Sequence, residues 1–282
     1  MSGTDAIRSG PRAGVAGWPV AHSRSPIIHG RWLAKHGIAG SYERVPVAPD
    51  GAEAFFATLA RGDFAGLNVT VPHKELAARA CDALEPVAAA LGAANTLWVE
   101  NGRLYGTNTD VEGFLANLDE GAPGWDADPG PAIVLGAGGA ARAVIHGLAS
   151  RGFAPIAIVN RTLDRAALLT GLAPVASAHG YEDLPKLLET ARFVVNTTSL
   201  GMNGSPPLDI DLTPLDPAAL VTDIVYVPLE TPLLALARAR GNPVVDGLGM
   251  LLHQAVPGFE RWFGVRPTVD AALRAEVLAT FA

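Results

Sequence analysis

The chain has 282 residues, 49% of them apolar and 17% charged, which is enough for one large or two ordinary packed domains and too apolar for a disordered chain. Its net charge of −7, with no run of lysines or arginines, argues against nucleic acid or an anionic membrane as the main partner. No stretch approaches the about eighteen apolar residues that a membrane helix needs, and the single cysteine, Cys81, permits no internal disulfide and suits a reducing cytoplasm.

The start, MSGTDAIRSGPRAG, lacks the apolar core of a secretory signal and reads as a loose tail. Short β-rich runs then alternate with helical stretches, the pattern of an α/β fold with a mainly parallel sheet. GVAGWPV, SYERVPVA and GLNVTV read as strands, and SPIIHGRWLAKHG and DGAEAFFATLARG as the helices between them. Pro26 suits a first helical turn, with Ser25 as its cap. Cys81 lies in the helical pattern ELAARACDAL, where a small packed hydrophobe is expected. TLWVENGRLYG breaks the alternation, because Asn101-Gly102 between two β-prone runs is a type I′ hairpin signal.

EGAPGWDADPGP, rich in glycine, proline and aspartate, reads as a boundary. A second series follows: PAIVLG, PIAIVN, RFVVNT, LVTDIVY and NPVVDG as strands, the first two followed by helical stretches. The amphipathic stretch VDAALRAEVLATF must cover an apolar face that the sequence does not specify.

VLGAGGAAR sits where an apolar strand meets an alanine-rich helix and contains Gly136-x-Gly138-x-x-Ala141. Gly136 permits the tight turn, Gly138 lets the backbone approach a pyrophosphate, and Ala141 keeps the helix close to the sheet. The helix N-terminus offers free N–H groups to phosphates. About twenty residues on, at the next strand end, a carboxylate would hydrogen-bond the ribose 2′-OH of NAD. This chain instead carries NRTLDR: Asn160 is neutral, Arg161 and Arg165 can converge on one anion, and Thr162 adds a hydroxyl. That is a 2′-phosphate clamp, and it predicts NADP(H). Solvated loop arginines are the plain alternative.

The first half places polar residues at the ends of apolar strands: Ser23 and Ser25 in HSRSP, Thr70 and Lys74 in NVTVPHKE, Asn95 in GAANT and Asp110 in GTNTD. Strand C-termini of a doubly wound sheet open into the ligand crevice, so these loops could converge on a small polyhydroxylated carboxylic acid. Individually each has an ordinary reading, as a helix cap, a strand residue or a surface lysine. Lys74 with Asp110 is the candidate catalytic pair: hydride transfer to a ketone leaves an alkoxide that an ammonium can protonate, with the carboxylate holding it in place. His22, His29, His36 and His73 form no metal constellation, so no metal is expected, and His73 is placed beside Lys74 without a proton role.

The series GWPVAHSRSP, NVTVPHKE, ANTL, GTNTD, GAGGAAR, NRTLDR, NTTS and DGLGMLLHQA resembles the shikimate dehydrogenase family, in order from about residue 14 to the last helical stretch. GAGGAA is common to many nucleotide binders; several of the other motifs are specific to that family. The resemblance implies NADPH-dependent reduction of 3-dehydroshikimate to shikimate, in the making of aromatic amino acids. It implies Ser23 and Ser25 on the substrate carboxylate, with Tyr226 helping there, and Thr70, Lys74, Asn95, Asp110 and Gln254 on the ring hydroxyls. On the cofactor side it implies Gly136, Ala137, Gly138, Gly139 and Ala140 around the pyrophosphate, and Asn160, Arg161, Thr162 and Arg165 on the 2′-phosphate. Thr197, Thr198 and Ser199 would stand near the middle of the dinucleotide, and Gly247 and Met250 against the nicotinamide. Without the family pattern, Met250 is core filler.

The resemblance further implies two domains closing a cleft: an α/β substrate domain of residues 1–112 completed by 251–282, and a Rossmann-type doubly wound NADP domain of residues 113–250. Trp18, Ala94 and NTTS depart from the commoner family residues at their positions. The alternatives are a quinate/shikimate dehydrogenase using NAD, against which NRTLDR argues, and a non-catalytic NADPH sensor, against which the Lys74 and Asp110 pair argues. Monomer and homodimer are left open.

Overall fold

The computed structural model describes residues 10–281, so most of the stretch read as a loose tail lies outside the described residues. The chain forms two compact units, one running through Thr109 and completed by Ala255–Thr280, the other Asp110–Gln254.

The first unit contains β1 (Arg12–Gly17), α1 (Ser25–Lys35), β2 (Ser41–Pro46), α2 (Ala52–Thr58), β3 (Phe64–Val69), α3 (Lys74–Ala80), β4 (Ala83–Leu84), α4 (Pro86–Leu91), β5 (Thr96–Glu100) and β6 (Arg103–Thr107). Its six-stranded sheet has the order β2-β1-β3-β5-β6-β4 and is mixed: β1 pairs parallel with β2 and β3, while β5 runs antiparallel to β3 and β6. The hairpin between β5 and β6 turns at Asn101 and Gly102, with φ of 52° and 72°, the left-handed pair that a type I′ turn needs. On one face Phe56, Leu59, Leu67, Ala77 and Leu97 form the core.

The second unit contains α5 (Asp110–Gly121), β7 (Ala132–Leu135), α6 (Gly139–Ser150), β8 (Ile156–Val159), α7 (Leu163–Ala167), β9 (Ala176–His179), α8 (Leu184–Leu188), β10 (Phe193–Asn196), β11 (Leu220–Asp223), α9 (Pro232–Ala239), β12 (Val244–Val245) and α10 (Leu248–His253). Its sheet is all parallel, in the order β12-β11-β10-β7-β8-β9. That is the doubly wound order, with its switch point between β7 and β10. β7, β8, β10 and β11 are buried along their whole length, as helices on both faces require. Successive residues of β7 feed opposite cores: Val134 packs with Val144, Ile158 and Phe193, and Ile133 and Leu135 with Val194, Val221 and Leu234.

The chain then returns to the first unit as α11 (Ala255–Phe263) and α12 (Ala271–Leu278). Trp262 of α11 donates its indole N–H to the Leu97 carbonyl at 2.9 Å, and Trp32 of α1 donates to Thr268 O at 3.2 Å. Ion pairs Lys35–Asp270 and Arg31–Glu276 flank the packing of α12 on α1. The face that VDAALRAEVLATF covers is therefore that of the first unit.

Several local expectations need correction. Ser25 is not the cap of α1 but its first residue; Arg24 occupies the cap, and the Ser25 N–H points back to Ser23 Oγ at 3.3 Å. The strands read as GVAGWPV and LVTDIVY stop early, at Gly17 and Asp223, and WPV and IVY are loops. Helix α3 ends at Ala80 because Asp82 is captured by β6, its N–H on Leu104 O and its carboxylate on the Leu104 N–H, both at 2.7 Å. Cys81 thus closes the helix, and burial pushes its thiol up to about 12. EGAPGWDADPGP is not the junction of the units. Trp125 stacks on Phe153 with centroids 5.2 Å apart, and Arg151 pairs with Asp119 and Asp126, which anchors the segment inside the second unit.

Candidate active site

In the first unit, Tyr42 is the hinge of a buried polar cluster. His29 is fully buried and stacks face to face on the Tyr42 ring, centroids 3.8 Å apart, and desolvation lowers its pKa to about 3, so it serves as a neutral aromatic plate. The plate holds the Tyr42 hydroxyl on Asn68 Oδ1 at 2.6 Å, and the same hydroxyl also interacts with buried Ser25. Asn68 Nδ2 donates to Thr96 Oγ1 at 3.1 Å and to Asn95 O at 3.3 Å. Asn95, 2% exposed, accepts at Oδ1 from the Thr109 N–H (2.8 Å) and from the hydroxyls of Thr96 (3.0 Å) and Thr109 (3.1 Å), which sets the plane of its amide.

Thr70 and Lys74 stand on the same edge. The Thr70 N–H bonds Ala16 O, the His73 N–H bonds Thr70 O, and the Lys74 carbonyl accepts from Ala94, the neighbour of Asn95. Lys74 is half-buried at the start of α3. His73 lines no open surface: it is 3% exposed and donates from Nε2 to Val47 O at 2.7 Å. Ser23 is half-buried, its carbonyl gripped by Arg44 Nη2 at 2.8 Å, and Trp18 stands 48% exposed beyond β1 with its N–H on Val71 O. The fold thus gathers Ser25, Asn95, Thr70 and Lys74 around one strand-end cluster. Asn68, which sequence reasoning passed over, lies at its centre. Its signal was there: an amide inside the apolar run GLNVTV is costly unless it is bonded.

In the second unit, Gly136 follows β7 with φ of +105°, and a Cβ there would lie 2.7 Å from Thr198 Cγ2 and 2.9 Å from Thr197 Oγ1. Only glycine lets the turn after β7 close against the loop after β10. Above Gly138 and Gly139 there is open space, and α6 begins at Gly139. Ala137 and Ala140 are half-buried between and beside them, and Ala141 is fully buried. This is a cradle shaped for a phosphate at a helix N-terminus, so the residues present fit a dinucleotide.

Thr197 donates to Leu135 O at 2.8 Å, Thr198 hangs from Asn196, and Ser199 is exposed. Beyond β8, Asn160 Nδ2 bonds Thr162 O at 2.8 Å and so shapes the turn, Thr162 occupies the N-cap position of α7 with no capping bond from its side chain, and Arg161, Thr162 and Arg165 are all exposed. Among the described residues neither guanidinium forms an ion pair, which leaves both available to an anion.

Asp110, 6% exposed, opens α5 in this second unit. Helices α5 and α10 touch through glycine: a Cβ on Gly113 would meet Gln254 Cβ at 2.7 Å, and Asn117 Nδ2 bonds Asp246 O at 2.7 Å. That contact places Gln254, half-buried after α10, beside the helix of Asp110. Gly247 has Ile224 O where a Cβ would stand, at 2.5 Å, and Met250 is 9% exposed, packed with the core that includes Phe114 and Val245. Tyr226 is half-buried in the loop after β11. Lys74 and Asp110 belong to different units. Among the described residues no group of His, Cys, Asp and Glu could hold a metal, and no helix is long and apolar enough to cross a membrane.

Three family models match the chain: the shikimate dehydrogenase substrate binding domain over residues 15–97, the shikimate / quinate 5-dehydrogenase model over 127–202, and the shikimate 5'-dehydrogenase C-terminal domain over 247–275. The shikimate dehydrogenase (NADP(+)) of Azorhizobium caulinodans is 60% identical over 272 residues, 96% of this chain and 97% of that one. Among solved structures, the shikimate 5-dehydrogenase from Thermus thermophilus in complex with NADP(H) and shikimate is similar at a TM-score of 0.84 and 36% identity, over 96% of this chain and 100% of that one. The quinate dehydrogenase from Corynebacterium glutamicum in complex with NAD is similar at a TM-score of 0.86 but only 30% identity, over 96% and 99%. Shape alone does not separate the two activities, whereas sequence identity over nearly the whole chain does: the chain belongs to the NADP(+)-dependent shikimate dehydrogenase family.

Proposed function

We propose that the chain reduces 3-dehydroshikimate to shikimate, reversibly and with NADPH, using Lys74 and Asp110 as its acid–base pair. The overall reaction is that of its family, an oxidoreductase step of the shikimate pathway, and the 60% identity to an NADP(+) enzyme is the observation that carries it. NADPH, when bound, supplies the hydride.

The chain's own residues do the rest. The Lys74 ammonium gives a proton to the oxygen of the reacting carbonyl, and the Asp110 carboxylate holds that ammonium and a ring hydroxyl. Ser23, Ser25 and Tyr226 hold the substrate carboxylate, and Thr70, Asn95 and Gln254 the remaining hydroxyls. The order within the buried cluster supports this reading, since amides and hydroxyls already set by neighbours lose little freedom on binding. Gly136 to Ala140 receive the pyrophosphate, Asn160, Arg161, Thr162 and Arg165 the 2′-phosphate, Thr197 to Ser199 the middle of the dinucleotide, and Gly247 and Met250 the nicotinamide side. The single thiol suits a cytoplasmic setting.

The test is initial-rate oxidation of shikimate and of quinate, each with NADP+ and with NAD+. Strong turnover confined to shikimate with NADP+ is the expected result. Comparable turnover of quinate or with NAD+ would move the chain toward the broader quinate/shikimate activity. Folded protein that binds NADPH and turns over none of the four pairs would make it a sensor.

A further inference from the structure

Asp223, the last residue of β11, is 1% exposed, and its carboxylate accepts three hydrogen bonds. Oδ1 takes them from Asn196 Nδ2 and from the Val225 N–H, each at 3.0 Å, and Oδ2 from the Thr231 hydroxyl at 2.7 Å. Among the described residues no cation pairs with it. A buried carboxylate held only by neutral donors is costly, and burial pushes its pKa up to about 6 while the three bonds pull the other way.

What those bonds hold is specific. Asn196 is the post around which the next loop is wound: its Oδ1 takes the N–H and hydroxyl of Thr198, at 3.0 and 2.7 Å, and its Nδ2 also reaches Leu200 O at 3.1 Å. Thr231 is the N-cap of α9, and Val225 stands in the loop that carries Tyr226, directly before it. One carboxylate therefore ties two loops leaving neighbouring strands.

We propose that Asp223 is a positioning residue for the reaction, its carboxylate setting at once the 197–199 loop for the dinucleotide and the 224–230 loop for the substrate. The inference rests on the functional reading above, in which those loops face cofactor and substrate.

Every partner of Asp223 donates, so the arrangement needs the ionised form. A proton on Oδ2 would point at Thr231 Oγ1, whose own proton would have to turn away. The charged groups on the elements around it are Glu230 and Arg238, paired to each other at 3.0 Å in solvent, Arg240, bound to the carbonyls of Thr213 and Leu215, and Asp246, which accepts the Leu248 N–H; none of them contributes to its shift. The raised pKa means that the folded chain holds this proton more tightly than the unfolded chain. Asp223 therefore favours the fold below the ordinary carboxylate value near 4, and that contribution is lost as pH rises through about 6. Acid should thus relieve the fold at this point and loosen the two loops. Stability and binding move in opposite directions, which a merely structural carboxylate would not produce.

The experiment measures KM for NADPH and for 3-dehydroshikimate, kcat and Tm between pH 5 and 8, on the whole enzyme. The parent's KM values are expected to rise below pH 6; Asp223→Asn is expected to raise both about fivefold or more at pH 7.5, with kcat within about threefold, and to flatten that rise. Its Tm at pH 8 should equal or exceed the parent's. Thr231→Val should raise only the KM for 3-dehydroshikimate, and Thr231→Ser should restore it, so the pair decides the matter if Asp223→Asn does not fold. Parental KM values in a folded Asp223→Asn, or in Thr231→Val, overturn the inference. Thr198→Ala and Tyr226→Phe separate it from its foundation: if both keep parental KM values the functional reading of the loops fails, and if they raise KM while Asp223→Asn does not, only the positioning role falls.

Discussion

The two units carry their candidate sites at comparable places, the ends of central strands, but make them from different material. In the first, the site is side chains: Tyr42, Asn68, Asn95, Thr96 and Thr109 are bonded to one another in the interior, and Ser25, Thr70 and Lys74 stand around them. In the second it is mostly main chain and empty space: Gly136 bent to φ of +105°, Gly138 and Gly139 with nothing above them, and arginines exposed at the rim. A small polyhydroxylated ring must be told from its isomers, which takes donors and acceptors fixed beforehand. A pyrophosphate needs N–H groups and room. The first unit should therefore be damaged by removing atoms, the glycine turn of the second by adding them.

The largest effect tests the first half of that contrast. Lys74→Ala should lower kcat by about 10²–10⁴-fold with NADPH affinity almost unchanged, the span usual for an acid–base group; near-parental turnover removes lysine from the chemistry. The next tests the second half by adding a single methyl. Gly136→Ala forces a side chain into a left-handed backbone and against Thr198, with about 1–3 kcal/mol of strain. NADPH binding by calorimetry should weaken about tenfold or more, and a variant binding as tightly as the parent breaks the contrast. The smallest effect concerns the rim. Arg161→Ala should weaken NADPH by about tenfold through lost charge-assisted bonds and leave NADH within about twofold; equal losses for both cofactors would end the clamp argument.

Much of this arrangement was legible in the sequence where a local rule has one solution. The Asn101-Gly102 turn and the strand–glycine–helix junction at 135–139 are such cases, because positive φ and close backbone approach demand particular residues. What escaped was decided by distant partners. β9 is written ASAH, too short and too weak in β-branched residues to be seen, and is a strand because β8 pairs with it. Helix α3 stops where Asp82 meets Leu104, not where its own pattern stops. Asn68 and Asp223 interrupt apolar runs; their worth lies in Tyr42, Thr96, Asn196 and Thr231, none of them an adjacent residue in the chain.

The return of the chain at Ala255 has a consequence for synthesis. The first unit draws on two stretches far apart in the chain, so its closure waits on residues 255–280, which are made after the stretch Asp110–Gln254 of the parallel-sheet unit. Before they are made it lacks Trp262, whose indole binds the β5 carbonyl of Leu97, and the helix that covers α1. The part of the molecule started earliest is thus the last to be closed, and until then it is the surface that a chaperone or a protease would find.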